Sequence, residues 1–164
     1  MQTKRIQRMA VAALFTAFAL ILSFIEAILP LAIPIPGIKL GLANLATLVL
    51  LYTLGAPYAA AVSLLRILLA ALLFGSPFSL LYSLAGGILA FIGMLALRLL
   101  RSPMIPASIV GALLHSIGQI ALAAAVTATP ELFFYLPYML AASLATGALV
   151  GIAGRLLLRY IPKL

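Results

Sequence analysis

Residues 25–47 read Ile25-Glu26-Ala27-Ile28-Leu29-Pro30-Leu31-Ala32-Ile33-Pro34-Ile35-Pro36-Gly37-Ile38-Lys39-Leu40-Gly41-Leu42-Ala43-Asn44-Leu45-Ala46-Thr47. Apolar helical sequence enters this stretch from Met9 and resumes at Leu40. Between the two lie Pro30, Pro34, Pro36 and Gly37. Proline removes a backbone donor and fixes φ, so so dense a set of prolines interrupts any helix. The interruption is too apolar for an ordinary solvated loop, and it is flanked by Glu26, Lys39 and Asn44. Two readings follow. The stretch is a lid over a binding pocket at a helix–helix join, or a tight re-entrant turn that only connects two helices.

The rest of the chain sets the medium in which this stretch works. Of 164 residues, 66% are hydrophobic and 7% charged, and the mean hydropathy is +1.34. Apolar runs at this density mean membrane spans. The length suits a single transmembrane domain, residues 1–164. Six spans are expected, at about residues 9–29, 40–54, 58–74, 79–100, 107–128 and 132–161. The first run is too long for a signal-peptide core and lacks a clear cleavage site, so no cleaved leader is expected.

The net charge is +8. In a soluble protein that balance points to nucleic acid, but here the basic residues stand at helix ends and topology accounts for them. Lys4, Arg5, Arg8, Arg98, Arg101, Arg155, Arg159 and Lys163 fall on the side of the termini in a six-span arrangement, with Lys39 and Glu131 opposite. By the positive-inside rule both termini are then cytoplasmic. No nucleic-acid partner is expected.

Small residues recur at helix-packing spacing: Ala13 and Ala17 on the first span, Gly86 and Ala90 on the fourth, Gly147 and Gly151 on the sixth. Packing within the molecule suits the fourth and sixth spans, whereas on the first a partner helix is an alternative. No internal repeat of the kind found in many secondary transporters is visible.

Ionisable groups inside a membrane are expensive and usually face a partner or a cavity. Arg66 lies near the middle of the third span, roughly 12–15 Å from either end at 1.5 Å per residue. His115 has a similar depth in the fifth span, and Gln119 shares its face at i+4. Ser116 points elsewhere. Glu26 and Asn44 belong to the outer parts of the first two spans, and Tyr82 and Ser83 to the outer start of the fourth. Glu26, Lys39, Asn44, Arg66, His115 and Gln119 can therefore converge in the outer half of one bundle. Arg66 and Glu26 can equally be a structural ion pair, His115 a packing histidine, and Asn44 and Gln119 interhelical glue.

Several chemistries are excluded or disfavoured. Cysteine is absent and there is one histidine, so neither a disulfide framework nor a transition-metal site is expected. No nucleophile elbow and no phosphate-cradling loop of the Walker type occurs. No cofactor is expected. The inventory fits recognition: Arg66 and Lys39 for anionic groups, the others as hydrogen-bonding partners, in an apolar pocket.

Glu26-x-x-Leu29-Pro30, followed by Pro34-x-Pro36-Gly37-x-Lys39-Leu40-Gly41-Leu42-Ala43-Asn44, resembles the bacterial family named either Gx transporter or heptaprenyl diphosphate synthase component I. Arg66 and His115-Ser116 fall where that family's other polar positions are expected. The family is similar in turn to the substrate-binding S components of energy-coupling-factor (ECF) transporters. That resemblance implies an all-α bundle of six transmembrane helices in the bacterial inner membrane, with cytoplasmic termini. It implies an outward-facing pocket for a small anionic or amphipathic compound, capped by residues 30–39. The implied substrate-binding residues are Glu26, Pro36, Gly37, Lys39, Asn44, Arg66, Tyr82, His115 and Gln119. Ala13 and Ala17 match the Ala-x-x-x-Ala with which S components meet a coupling transmembrane protein, itself served by ATPase subunits.

The synthase half of the family's name can be weighed against the residues. Prenyl chain elongation of the usual kind holds diphosphate through magnesium on aspartate-rich motifs, and magnesium seeks oxygen ligands, usually carboxylates. This chain has no aspartate and two glutamates, Glu26 and Glu131. A catalytic role is therefore not expected. The alternative function is a non-catalytic membrane component beside a soluble prenyl diphosphate synthase subunit. A third reading is a structural membrane protein with a packed polar core.

Overall fold

The computed structural model describes residues 2–28, 39 and 41–161. Expected lid residues 30–38, Pro36 and Gly37 among them, and Lys163 lie outside the described residues. The described chain forms six α-helices: α1 Gln2–Ile28, α2 Asn44–Thr53, α3 Ala56–Phe74, α4 Pro77–Leu99, α5 Met104–Thr127 and α6 Leu136–Leu157. A 3₁₀ segment, Pro130–Tyr135, precedes α6. No strand occurs among the described residues.

Local chemistry explains several of the helix ends. Pro57 and Pro77 stand in the first turns of α3 and α4, where a missing N–H is harmless. Ser76 caps α4, its Oγ accepting from the Ser79 amide at 3.1 Å. α5 ends on Ala128 in the left-handed region, φ 51°. The 3₁₀ segment starts at Pro130, and Pro137 stands in the first turn of α6, where its missing N–H is harmless. The basic residues Lys4, Arg5 and Arg8 lie within α1, which begins at Gln2.

α1, α3, α4, α5 and the unit Pro130–Leu157 are long and apolar enough to cross a membrane. The protein is a multi-pass membrane protein. Its outer surface fits that medium, with Leu72, Leu73, Ile88, Leu99, Leu149 and other large apolar side chains exposed. α2 differs from the rest. Its 10 residues reach only about 15 Å, half of a bilayer core. It is buried from Asn44 through Leu51 and touches each of the other five helices. A helix apolar on all sides belongs in a core, and Leu45, Leu48, Val49, Leu50 and Leu51 form the centre of this one, with Val62, Ala90, Met94, Met104 and Val150 around them.

The outer helices close on glycines. A Cβ on Gly86 of α4 would lie 2.8 Å from the His115 carbonyl oxygen of α5, and one on Gly147 or Gly151 of α6 would lie 2.8 Å from the Ile109 or Ile105 Cα. The small-residue stripes of α4 and α6 therefore serve packing against α5. The stripe on α1 does not pack inward: Ala13 and Ala17 are both exposed.

Side-chain contacts fix the two ends of the bundle. The Tyr52 hydroxyl donates to the Ser102 carbonyl at 2.8 Å, and Arg98 lies over the Tyr52 ring, 5.9 Å from its centroid. Met104 packs at Gly154, and Leu157 shares a groove with Leu14, Phe15 and Phe18. Arg98, Arg101, Arg155 and the start of α1 thus belong to one end. Phe24 meets Phe74 edge-on, centroids 5.5 Å apart, so Glu26 and the α3–α4 turn belong to the other.

Candidate functional site

The last residues before α2 are bound from both sides. From α1, Glu26 Oε1 accepts the Gly41 amide at 2.6 Å and the Leu42 amide at 2.9 Å. From α5, Gln119 Oε1 accepts the Lys39 amide at 3.2 Å. Gln119 Nε2 in turn lies 3.0 Å from His115 Nε2, as the i, i+4 spacing predicts. Glu26 and Gln119 are 4% and 0% exposed, so these bonds are made away from water, where amide–carboxylate bonds are strong.

The backbone permits this clasp because residue 41 is glycine. Its φ is +86°, and a Cβ there would lie 2.9 Å from Asn44 Nδ2 and 3.3 Å from the His115 ring. The position thus demands both a left-handed conformation and the absence of a side chain. α2 begins directly beyond, with the Asn44 amide donating to the Gly41 carbonyl at 3.0 Å.

Asn44 links this turn to α3. Arg66 Nη2 donates to Asn44 Oδ1 at 2.9 Å, and Arg66 is 2% exposed. Neither Arg66 nor Glu26 therefore has the other as its hydrogen-bonding partner. The charges of Glu26, Lys39 and Arg66 lie close enough to act on one another. Arg66 Nε, Asn44 Nδ2, Glu26 Oε2, Thr47 Oγ1 and Ser83 Oγ are buried with no hydrogen-bonding partner among the described residues. Asn44 and Gly41 also line a cavity of about 10 Å³ with Ser108, Ala112, Thr146 and Gly147, room for a single water.

Of the residues proposed from sequence, Glu26, Lys39, Asn44, Arg66, His115 and Gln119 come together in this cluster. Tyr82 is buried on α4 beside Ser83. Ser116 points away and pairs with Ser143 of α6, hydroxyls 2.6 Å apart. Sequence reasoning passed over the Gly41 and Leu42 amides as bonding groups.

The sequence profile of the family described as heptaprenyl diphosphate synthase component I matches residues 15–157, which takes in every described member of the cluster. The chain belongs to the heptaprenyl diphosphate synthase component I family. No curated protein and no solved structure shows a significant match to it. The match covers α2 through α6 whole and α1 from Phe15, so Ala17 lies within it and Ala13 just before it.

Proposed function

We propose that this chain is a substrate-binding membrane subunit, similar to an ECF S component, in the bacterial plasma membrane. The observation that carries the reading is the convergence of Glu26, Lys39, Asn44, Arg66, His115 and Gln119, from α1, α2, α3, α5 and the segment before α2, on one buried turn. Packing alone does not require two cations at that depth, and each is expensive in a bilayer. The ligand is a small anionic or amphipathic compound. Arg66 and Lys39 meet its negative group, and Asn44, Tyr82, His115 and Gln119 supply hydrogen bonds. Residues 30–38, Pro36 and Gly37 among them, which the sequence reading made the cap, lie outside the described residues. In this reading the chain crosses the membrane six times, α2 together with the residues before it making the second crossing. Both termini are cytoplasmic, which suits the grouping of Arg98, Arg101, Arg155 and the basic residues at the start of α1 at one end of the bundle. The exposed Ala13 and Ala17 face a coupling transmembrane protein served by ATPase subunits.

A second reading rests on the family's description: a non-catalytic component that stands beside a polyprenyl diphosphate synthase. The absence of aspartate from the chain suits a subunit that performs no elongation itself. Affinity purification from native membranes separates the two readings. The transport reading expects a coupling membrane protein and ATPase subunits to copurify. Recovery of a soluble prenyl synthase in their place would favour the second reading and overturn the first.

A further inference from the structure

We propose that the Gly41 and Leu42 amides at the start of α2 are an anion cradle that Glu26 fills, and that the ligand's carboxylate or phosphate group binds there by displacing Glu26. This rests on the substrate-binding reading and adds that Glu26 competes with the ligand instead of holding it.

Two successive amides aim at a single oxygen, Glu26 Oε1, at 2.6 and 2.9 Å. Successive N–H groups beside a left-handed residue make an anion-binding concavity, and Gly41 supplies that conformation at φ +86°. The cradle also sits at the N-terminus of α2, where the helix dipole favours negative charge.

Independent of the cradle, the surrounding side chains hold donors without acceptors. Asn44 Nδ2 and Arg66 Nε are buried and unpartnered among the described residues. Asn44 Nδ2 lies against the same turn, 2.9 Å from where a Gly41 Cβ would stand. Buried donors of this kind normally find partners. Glu26 leaves them unmatched because it offers the cradle only Oε1, while its Oε2 is itself unpartnered. A ligand carboxylate or phosphate, free to orient, can present one oxygen to the amides and another to Asn44 or Arg66.

Charge points the same way. Arg66 and Lys39 are two buried cations against the one carboxylate of Glu26. Glu26 also has somewhere to go: it stands in the last turn of α1, two residues before Ile28, with Ala27 and Ile28 exposed. Movement of that turn carries the carboxylate towards the end of the bundle.

Calorimetric titration of the full-length protein in nanodiscs with sodium acetate and with inorganic phosphate, against sodium chloride, tests this. Glu26→Gln keeps an acceptor oxygen for the turn but loses the charge. Apparent affinity scales with the fraction of molecules whose site is free, so Glu26→Gln should bind acetate or phosphate roughly tenfold tighter than wild type. Arg66→Gln added to Glu26→Gln should remove the gain. Equal affinity in wild type and Glu26→Gln, or no binding in either, would overturn the proposal. A measurement on wild type alone guards against a variant that fails to fold. In protein labelled with ¹⁵N-glycine, saturating phosphate should move the Gly41 amide resonance, and an unmoved resonance overturns the displacement. A neutral compound found bound at the cluster would also overturn it, yet leave the substrate-binding reading standing. Failure of that reading shows separately, in the partners recovered from membranes.

Discussion

Arg66 Nη2 donates to Asn44 Oδ1 at 2.9 Å, so the buried guanidinium of α3 is tied to the first residue of α2 and not to the carboxylate of Glu26. This one bond joins the core helix to the polar cluster. It also sets up the first prediction. Arg66→Ala leaves a buried acceptor on Asn44 unmatched, a loss of about 1–3 kcal/mol. The coupling energy between Arg66→Ala and Asn44→Ala, from unfolding of the two single variants and the double variant in mild detergent, should fall in the range of about 0.5–3 kcal/mol. Strict additivity would remove Asn44 as the partner of Arg66.

Gly86 holds α4 against α5 at the level of the cluster. A Cβ there would stand 2.8 Å from His115 Nδ1, 2.8 Å from the His115 carbonyl oxygen and 2.9 Å from Gln119 Cγ. The carbonyl is backbone and cannot swing aside. Gly86→Ala should therefore lower stability by about 1–3 kcal/mol, and it should weaken ligand binding by shifting His115 and Gln119. A variant with unchanged melting and unchanged affinity would show that the two helices separate without consequence.

Most of the architecture was legible from apolar runs and helix breakers. Pro57, Pro77 and Pro103 mark starts of α3, α4 and α5, and the lone polar residues Arg66 and His115 stand out against their apolar spans. α2 was less legible. A helix buried on every face has no amphipathic period to read, so the expected second span at residues 40–54 starts four residues before the helix does. The cluster of Glu26, Lys39, Asn44, Arg66, His115 and Gln119 was legible as a set of residues and not as a set of bonds. Side-chain identity cannot tell that Glu26 reaches two backbone amides, because amides are present at every position, and the one clue is the glycine at 41. The pairing of Ser116 with Ser143 was hidden for a similar reason: two serines in different helices carry no spacing signal.

The exposed face of α1 gives a prediction that separates partner binding from folding. Ala13 and Ala17 lie on it with Ala10, Leu14 and Ile21. Ala13→Trp and Ala17→Trp should leave stability within about 0.5 kcal/mol of wild type, as for surface positions generally, and leave ligand affinity unchanged. Both should abolish copurification of a membrane partner, since bulk at a small-residue stripe blocks close helix approach. Partner recovery at the wild-type level in both variants would mean that the stripe meets only lipid.

The proposed orientation can be read with single cysteines, because the chain has none of its own. Ser76 stands exposed between α3 and α4, and Tyr160 is 84% exposed beyond α6. Ser76→Cys should react with a membrane-impermeant maleimide in intact cells, and Tyr160→Cys only after lysis. The reverse pattern would contradict cytoplasmic termini.

In the proposed function the buried cluster around Gly41 receives a ligand through Arg66. Native mass spectrometry of the protein released from detergent micelles tests it most directly, on wild type and on Arg66→Ala that retains a cooperative melt. Truncating a buried, hydrogen-bonded charge that faces an anion lowers affinity by about 2–5 kcal/mol. Wild type should therefore carry a small anionic molecule that Arg66→Ala has lost. A folded wild type that carries only bulk lipid, or an Arg66→Ala variant that keeps the same molecule at the same occupancy, would contradict ligand binding through Arg66.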